Sequence, residues 1–429
     1  MTTPSSDVID ELHRRGLIAQ STDEEALRAH LADGPVTYYC GFDPTAASLH
    51  VGHLLQFMVL RALQRAGHQP IVLVGGATGL IGDPRPSSER QLNSKETVAG
   101  WVDRIRRRVA PFLDLPAERD GLRAPIYVDN LAWTAPLSAI DFLRDLGKHF
   151  RVNRMLAKEA VSARLNSDAG ISYTEFSYQI LQANDFLELN RRHGCTLQSG
   201  GSDQWGNITA GVDLIRRVEG VSAHALATPL ITTSDGKKIG KTEGATIWLD
   251  PELTSPYAFF QYWLNIDDVD ARAWLPLFSE RPADEIEALI AESLEHPAAR
   301  GLQRALAEEL TLLVHGPEEL RHAEAAGRAL FGREDLRSLD PSTLAAALGE
   351  AGGVEIEGET PTVAQLFQLT GLASSLSEAR RTVKEGGAYL NNERVTDADA
   401  VPAESEWLTG GWLVLRKGRR TIAGVHRKG

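Results

Sequence analysis

Between residues 36 and 250, strand-like and helix-like stretches take turns, and that alternation limits the fold more than any other feature of the chain. Residues 36–42, 70–74, 124–128 and 195–198 read as strands. Helical spacing of apolar side chains fills the intervals. It begins with Leu54, Leu55, Met58, Val59, Ala62 and Leu63 and returns over 95–113, 136–150, 173–190 and 207–218. Such a pattern predicts a parallel sheet with helices on both faces, and ligands of these sheets bind beyond the C-terminal strand ends.

The residues equipped for chemistry fall mostly after strands. A turn built on Gly41, Asp43 and Pro44 leads to His50-Val51-Gly52-His53, which opens a helix. A helix N-terminus exposes N–H donors and partial positive charge and so favours phosphate; Gly52 leaves the backbone approachable. The same four residues also fit an ordinary pair of loop histidines. The second strand runs into Gly75-Gly76-Ala77-Thr78-Gly79-Leu80-Ile81-Gly82-Asp83-Pro84. This is either a plain turn or a loop whose glycines admit a ligand, with Asp83 holding a cation such as an α-ammonium. Tyr178, Gln182 and Asp185 share one helix face with Leu181 and Leu189. A carboxylate on that buried stripe needs a partner, from the chain or from a ligand. Gln198 to Asn207, with Gly200, Asp203 and Gln204, combines a strand end, a glycine turn and a helix cap, and offers groups suited to ribose and ammonium. Thr232 to Thr242 carries Lys237, Lys238 and Lys241, as a solvated loop or as a flexible phosphate clamp.

At 429 residues the chain exceeds one core, so two or three domains are expected. A net charge of −13 argues against a generic DNA binder. The charge is uneven: from Trp407 onward Arg416, Lys417, Arg419, Arg420, Arg427 and Lys428 occur without an acid, which points to a polyanion partner for the tail. Two cysteines, Cys40 and Cys195, cannot build a disulfide framework, and no Cys/His cluster has zinc spacing. No apolar run approaches the roughly 18 residues of a membrane helix. The first residues look like an amphipathic helix and not a signal or transit peptide, so a cytoplasmic protein is expected. Residues 251–348 turn all-helical, with Ile286, Leu289, Ile290 and Leu294 on one face and Leu302, Leu306, Leu310 and Leu313 on another. Residues 349–361 read as a Gly/Glu-rich linker, and 362–429 as a small α+β domain.

Each signal is modest, but their order is specific. HVGH, GGATGLIGDP, YQILQAND, GGSDQWGN and KIGKT, in that order, resemble the class I aminoacyl-tRNA synthetase family in its bacterial tyrosyl form. The likeness covers residues 36–250 and continues through the helical region to about 330. Residues 362–429 resemble an RNA-binding domain shared with a small-subunit ribosomal protein and pseudouridine synthases. The resemblance implies a doubly wound, Rossmann-like α/β catalytic domain over 1–250, a helical anticodon-region domain over 251–348 and a C-terminal tRNA-binding domain.

The resemblance also implies roles. His50 and His53 would stabilise the α-phosphate of ATP as tyrosine's carboxylate attacks it, Thr45 would assist at the γ-phosphate, and Lys238 and Lys241 would clamp pyrophosphate. Cys40, Gly41, Asp43, Gly52, Gly200 and Asp203 match nucleotide contacts. Asp83, Tyr178 and Gln182 match the tyrosine ammonium site, with Thr78, Asn130 and Gln204 nearby, and Tyr39 and Asp185 match the pair that bonds the substrate phenol. Mg²⁺ would arrive with ATP and need no protein cage. Arg416, Lys417, Arg419 and Arg420 would meet tRNA(Tyr), and a homodimer is expected. One departure stands out: the loop Asp83 to Arg90 lacks the family's lysines and is one residue shorter, which leaves the roles of Arg85 and Arg90 open. Three alternatives are a tryptophanyl enzyme, a non-catalytic RNA-binding splicing protein on this scaffold, and a simple nucleotidyltransferase. Tyr39 facing Asp185 favours phenol over indole. Intact His50, His53, Lys238 and Lys241 favour catalysis. A simple nucleotidyltransferase has no use for the helical and RNA-binding regions.

Overall fold

A computed structural model of the chain describes residues 7–85, 91–113, 122–166, 170–242, 245–331, 334–418 and 421–428. They divide into two compact units. The first comprises residues up to Asp250 together with Asp268–Leu294, and the second Pro251–Asp267 and Glu295 onward.

The first unit is built on a six-stranded sheet. Its strands are β1 (Gln20–Ser21), β2 (Thr37–Phe42), β3 (Gln69–Val74), β4 (Ile126–Asp129), β5 (Cys195–Gly201) and β6 (His224–Thr228), in the spatial order β1-β6-β5-β2-β3-β4. The five long strands are parallel, and β1 runs antiparallel to β6. The strand order reverses between β2 and β5, which makes their C-terminal ends the switch point where ligands of such sheets bind. Helix α1 (Leu54–Arg65) follows β2, and α2 (Lys95–Val109) precedes β4. Helices α3 (Tyr173–His193) and α4 (Trp205–Val218) flank β5. Ser172 caps α3 by accepting from Glu175 N–H, and Gly194 ends it in the left-handed region at φ 62°. One face of the sheet packs on α3 and α4 through Tyr39, Ile71, Leu73, Phe186, Leu189 and Leu214.

Residues 136–150 do not form the single expected helix. They make three short turns of α, π and 3₁₀ type, with Ile140 and Leu143 exposed, so no continuous buried stripe holds one helix together. Residues 268–294, expected with the helical region, belong to the first unit. Helix Asp268–Phe278 buries Ala271, Trp274, Leu275 and Phe278, and Glu280 accepts from Arg61 at 2.6 and 2.7 Å.

The second unit is helical up to Glu350 and then forms a five-stranded sheet. Its long helical run Gly301–Leu330 breaks at Gly316 (φ 86°, ψ 173°), just before Pro317. Residues 349–361 contain a strand, Val354–Ile356, paired in parallel with Val425 to Arg427. Helices Val363–Leu369 and Leu376–Lys384 cover one face through Leu366, Phe367, Ala379 and Val383. Among the described residues no helix is long and apolar enough to cross a membrane.

Candidate active site

The turn after β2 and the lysine loop are hydrogen-bonded together. Val51 N–H donates to Ile247 (3.1 Å), Leu249 N–H to Leu49 (2.9 Å), and His50 forms a bridge with Trp248. Ile247 N–H in turn bonds Gly240 at 2.9 Å. Gly240 permits the approach, since a Cβ there would stand 2.4 Å from Val51 Cγ2; within the turn itself, a Cβ at Gly52 would stand 2.8 Å from His50 Cε1. The lysine loop is a closed hairpin: Thr233 N–H bonds Lys237 (2.8 Å), Thr232 bridges Lys238, and Ile239 is buried. Buried Asp270 accepts from Ser234 N–H (2.8 Å) on one side of the hairpin. Further along the chain, fully buried Asp250 accepts from Arg104 (2.6 Å) and Arg108 (3.2 Å). Lys238 is exposed; Lys241 opens a two-residue strand, and its side chain lies outside the described residues.

His50 and His53 lie with ring centroids 4.1 Å apart. His50 Nδ1 accepts from Gly52 N–H (3.1 Å), so its neutral ring carries the proton on Nε2. His53 Nδ1 accepts from His50 N–H at 3.1 Å. Burial and the neighbouring His50 push His53 down to about 3, so it is a neutral imidazole near pH 7.

Beyond the ends of β2, β3 and β4, one polar chain joins five of the expected residues. Tyr178 hydroxyl donates to Asp43 (2.8 Å), and Thr78 hydroxyl to the other Asp43 oxygen (2.6 Å). Asn130 is fully buried; its amide donates to Thr78 (2.9 Å) and Asp185 (2.9 Å) and accepts from Ala77 N–H (2.7 Å). Trp133 Nε1 donates to the second Asp185 oxygen at 2.8 Å. Burial pushes the Asp185 carboxyl up to about 8 against the pull of these donors. Three glycines of this loop allow close packing by the chain itself. A Cβ at 75 would meet Thr78 and Asp43, at 76 Asp129, and at 79 Pro44, each within 2.7 Å.

Beside this chain two buried polar atoms have no partner among the described residues, the Tyr39 hydroxyl and Gln182 Oε1. Tyr39 packs on Phe186 and stands opposite Gln198 in the sheet, whose Oε1 is orphaned too. Adjacent residues of paired strands share a face, so Tyr39 and Gln198 point the same way.

Asp83 lies in a second cluster. It accepts from Gln204 (3.1 Å), Asn207 (3.1 Å) and Lys158 (3.4 Å). Tyr178, expected at the ammonium site with Asp83, gives its hydroxyl hydrogen to Asp43, which leaves its oxygen able to accept from an ammonium. Cys40 is a buried thiol pushed up to about 12 by burial, while Gly41, Thr45 and Asp203 are exposed around the switch point. Gly200 packs against Ile208. Sequence reasoning does not single out Trp133 and Lys158, and it includes Gln198 and Asn207 only as the ends of the Gln198 to Asn207 stretch, without roles of their own. Trp133 and Lys158 reach the site from segments with no motif of their own. Asn207 and Gln198 bracket the glycine turn at Gly200, and that position is the signal that could have found them.

In the second unit Arg416 lies over the Tyr389 ring, 4.0 Å from its centroid. Lys417 is held by Glu378 (2.8 Å) and Leu372 carbonyl (2.9 Å), and Arg427 by Glu404. The terminal cations are thus partly neutralised locally. Arg419, Arg420 and Arg90 lie outside the described residues.

A parallel sheet with a histidine turn and a lysine loop bonded together is the arrangement that the resemblance to class I aminoacyl-tRNA synthetases implies. The chain belongs to the family of class I tRNA synthetases for tryptophan and tyrosine, whose model matches residues 31–332. Residues 344–423 match the tyrosine–tRNA ligase SYY-like C-terminal domain. Tyrosine–tRNA ligase of Streptomyces coelicolor is 60% identical over 425 residues, covering 99% of this chain and all of the relative. That of Acidothermus cellulolyticus is 60% identical over 98% of this chain and 99% of its own. Among solved structures, a C-terminally truncated mitochondrial tyrosyl-tRNA synthetase of Aspergillus nidulans superposes with TM-score 0.69 at 29% identity, over 76% of this chain and 94% of that one.

Proposed function

We propose that this chain is an ATP-dependent tyrosine–tRNA ligase. It joins L-tyrosine and MgATP into tyrosyl-adenylate and passes tyrosine to the 3' end of tRNA(Tyr). The observation that carries the reading is the pair of orphaned buried groups, Tyr39 hydroxyl and Gln182 Oε1, beside buried Asp185. A buried polar atom without a partner costs about 1–3 kcal/mol, and a polar ligand bonded to these two would remove that cost. A phenol meets Tyr39 and Asp185, and an ammonium meets Gln182, Asp83 and Tyr178, with Thr78, Asn130 and Gln204 around them.

The chemistry needs no enzyme nucleophile. A tyrosine carboxylate oxygen attacks the α-phosphorus, and the bond from that phosphorus to the pyrophosphate oxygen breaks. His50 and His53 donate to α-phosphate oxygens as charge builds, and Thr45 serves the γ-phosphate. Lys238 and Lys241 neutralise the departing pyrophosphate, and Gly41, Gly52, Gly200, Cys40, Asp43 and Asp203 frame the nucleotide. Catalysis is positioning plus charge stabilisation. Arg416, stacked on Tyr389, supports a tRNA-facing role for the C-terminal sheet, to which Arg419 and Arg420 are assigned with it. Ile140, Leu143 and Val152, all more than half exposed within one stretch, support a homodimer. A cytoplasmic setting goes with this activity. Charging of a tRNA(Tyr) transcript with labelled tyrosine tests the proposal; failure to charge while tryptophan is charged to tRNA(Trp) would replace it with the tryptophanyl reading.

A further inference from the structure

Lys158 precedes helix Glu159–Leu165, far in sequence from every motif of the site, yet its ammonium reaches Asp83. Its stem runs along Gly206, with Cε, Cγ and Cδ all near 3.8–4.0 Å from where a Cβ of that residue would stand. The ammonium donates to Asn207 Oδ1 (2.6 Å) and to Asp83 Oδ1 (3.4 Å). Asn207 and Gln204 also donate to Asp83, so this carboxylate is surrounded by hydrogen donors, one of them a full cation. The Lys158 stem and Gly206 together line a cavity of about 450 Å³ with Arg151, Arg154, Arg217, His149 and Asp213.

We propose that Lys158 is a displaceable counter-ion: its ammonium holds the place on Asp83 that the α-ammonium of the amino acid takes on binding. The inference rests on the tyrosine reading of the pocket. Two ammonium groups cannot share one carboxylate without mutual repulsion, so substrate binding drives Lys158 off Asp83 into the adjoining cavity. Lys158 is a positioning residue in this scheme. It keeps Asp83 compensated, and its removal sharpens the site for a ligand that carries an amine while harming it for an analogue that lacks one.

The test compares L-tyrosine with 3-(4-hydroxyphenyl)propanoate, which lacks the amine, by titration calorimetry on the full-length protein. In Lys158→Met, tyrosine should bind about two- to fivefold tighter and the desamino acid weaker by a similar factor, the scale of a partly exposed charge pair. Lys158→Gln should behave likewise, and Lys158→Arg should keep the wild-type order. A purely structural role moves both ligands in one direction, and that result, or no change in either, would overturn the proposal. Wild-type protein that fails to bind tyrosine would instead overturn the substrate reading beneath it.

Discussion

Gly240 lies against Val51 so closely that a single added methyl carbon would stand 2.4 Å from Val51 Cγ2, and its φ of 78° excludes most other residues as well. The lysine loop and the histidine turn are therefore set by direct backbone packing. Gly240→Ala should push the loop away. If the strain of about 1–3 kcal/mol is relieved by that movement, adenylate formation should slow about tenfold or more. Tyrosine binding, measured by fluorescence titration, should stay near wild type. Equal loss of both would mean that the substitution damages the whole pocket.

Tyr39→Phe should separate stability from specificity. Its hydroxyl is buried and unpartnered among the described residues, so removing it should raise the melting temperature of the protein alone. Tyrosine binding should weaken by roughly 0.5–1.5 kcal/mol, the net value of one neutral hydrogen bond. The preference for tyrosine over phenylalanine should narrow as well. Tyrosyl-tRNA synthetases are themselves the standard example of such discrimination, and the sign at Tyr39 follows from its unpaired hydroxyl alone. A lower melting temperature with unchanged preference would make Tyr39 an ordinary core residue.

Tyrosine affinity should depend on pH through Asp185. Its carboxyl is raised to about 8 by burial, so it is largely protonated at pH 7. A phenol donating to Asp185 favours the carboxylate, and binding below pH 8 then releases a proton. Affinity should accordingly rise as pH goes from 6 to 8 and level off above. Calorimetry in buffers of different ionisation enthalpy reads the proton directly. Asp185→Asn should bind more weakly and lose the slope; a wild-type affinity flat from pH 6 to 8 would contradict the assignment.

Arg416→Ala should raise KM for tRNA severalfold and leave pyrophosphate exchange unchanged. If Arg416 meets one phosphate, the salt dependence of tRNA affinity should fall by about one unit of slope. A loss of exchange activity would place Arg416 in the support of the fold.

How much of this is legible in the sequence depends on the range of the interactions. Strand Thr37–Phe42 and helix Leu54–Arg65 follow from local pattern, and both stand close to where the pattern puts them. Strand His224–Thr228 reads His-Ala-Leu-Ala-Thr and is buried throughout; without alternation or β-branched residues until Thr228, it leaves no local trace. Residues 354–356 hide a strand inside a glycine-rich stretch because its partner lies some seventy residues on. Asp185 on an apolar stripe signals that it needs a partner. The identity of those partners, Asn130 and Trp133, depends on the sheet bringing the end of β4 beside α3, and that is a tertiary fact. The same holds for Lys158 on Asp83.

ATP–pyrophosphate exchange by the purified protein, run against a panel of amino acids, tests the central claim most directly. It reads activation alone and so isolates the pocket formed by Tyr39, Gln182, Asp83 and Asp185. Tyrosine should drive rapid exchange, with phenylalanine and tryptophan far behind. Exchange driven by tryptophan, or by no amino acid of the panel, would contradict the account.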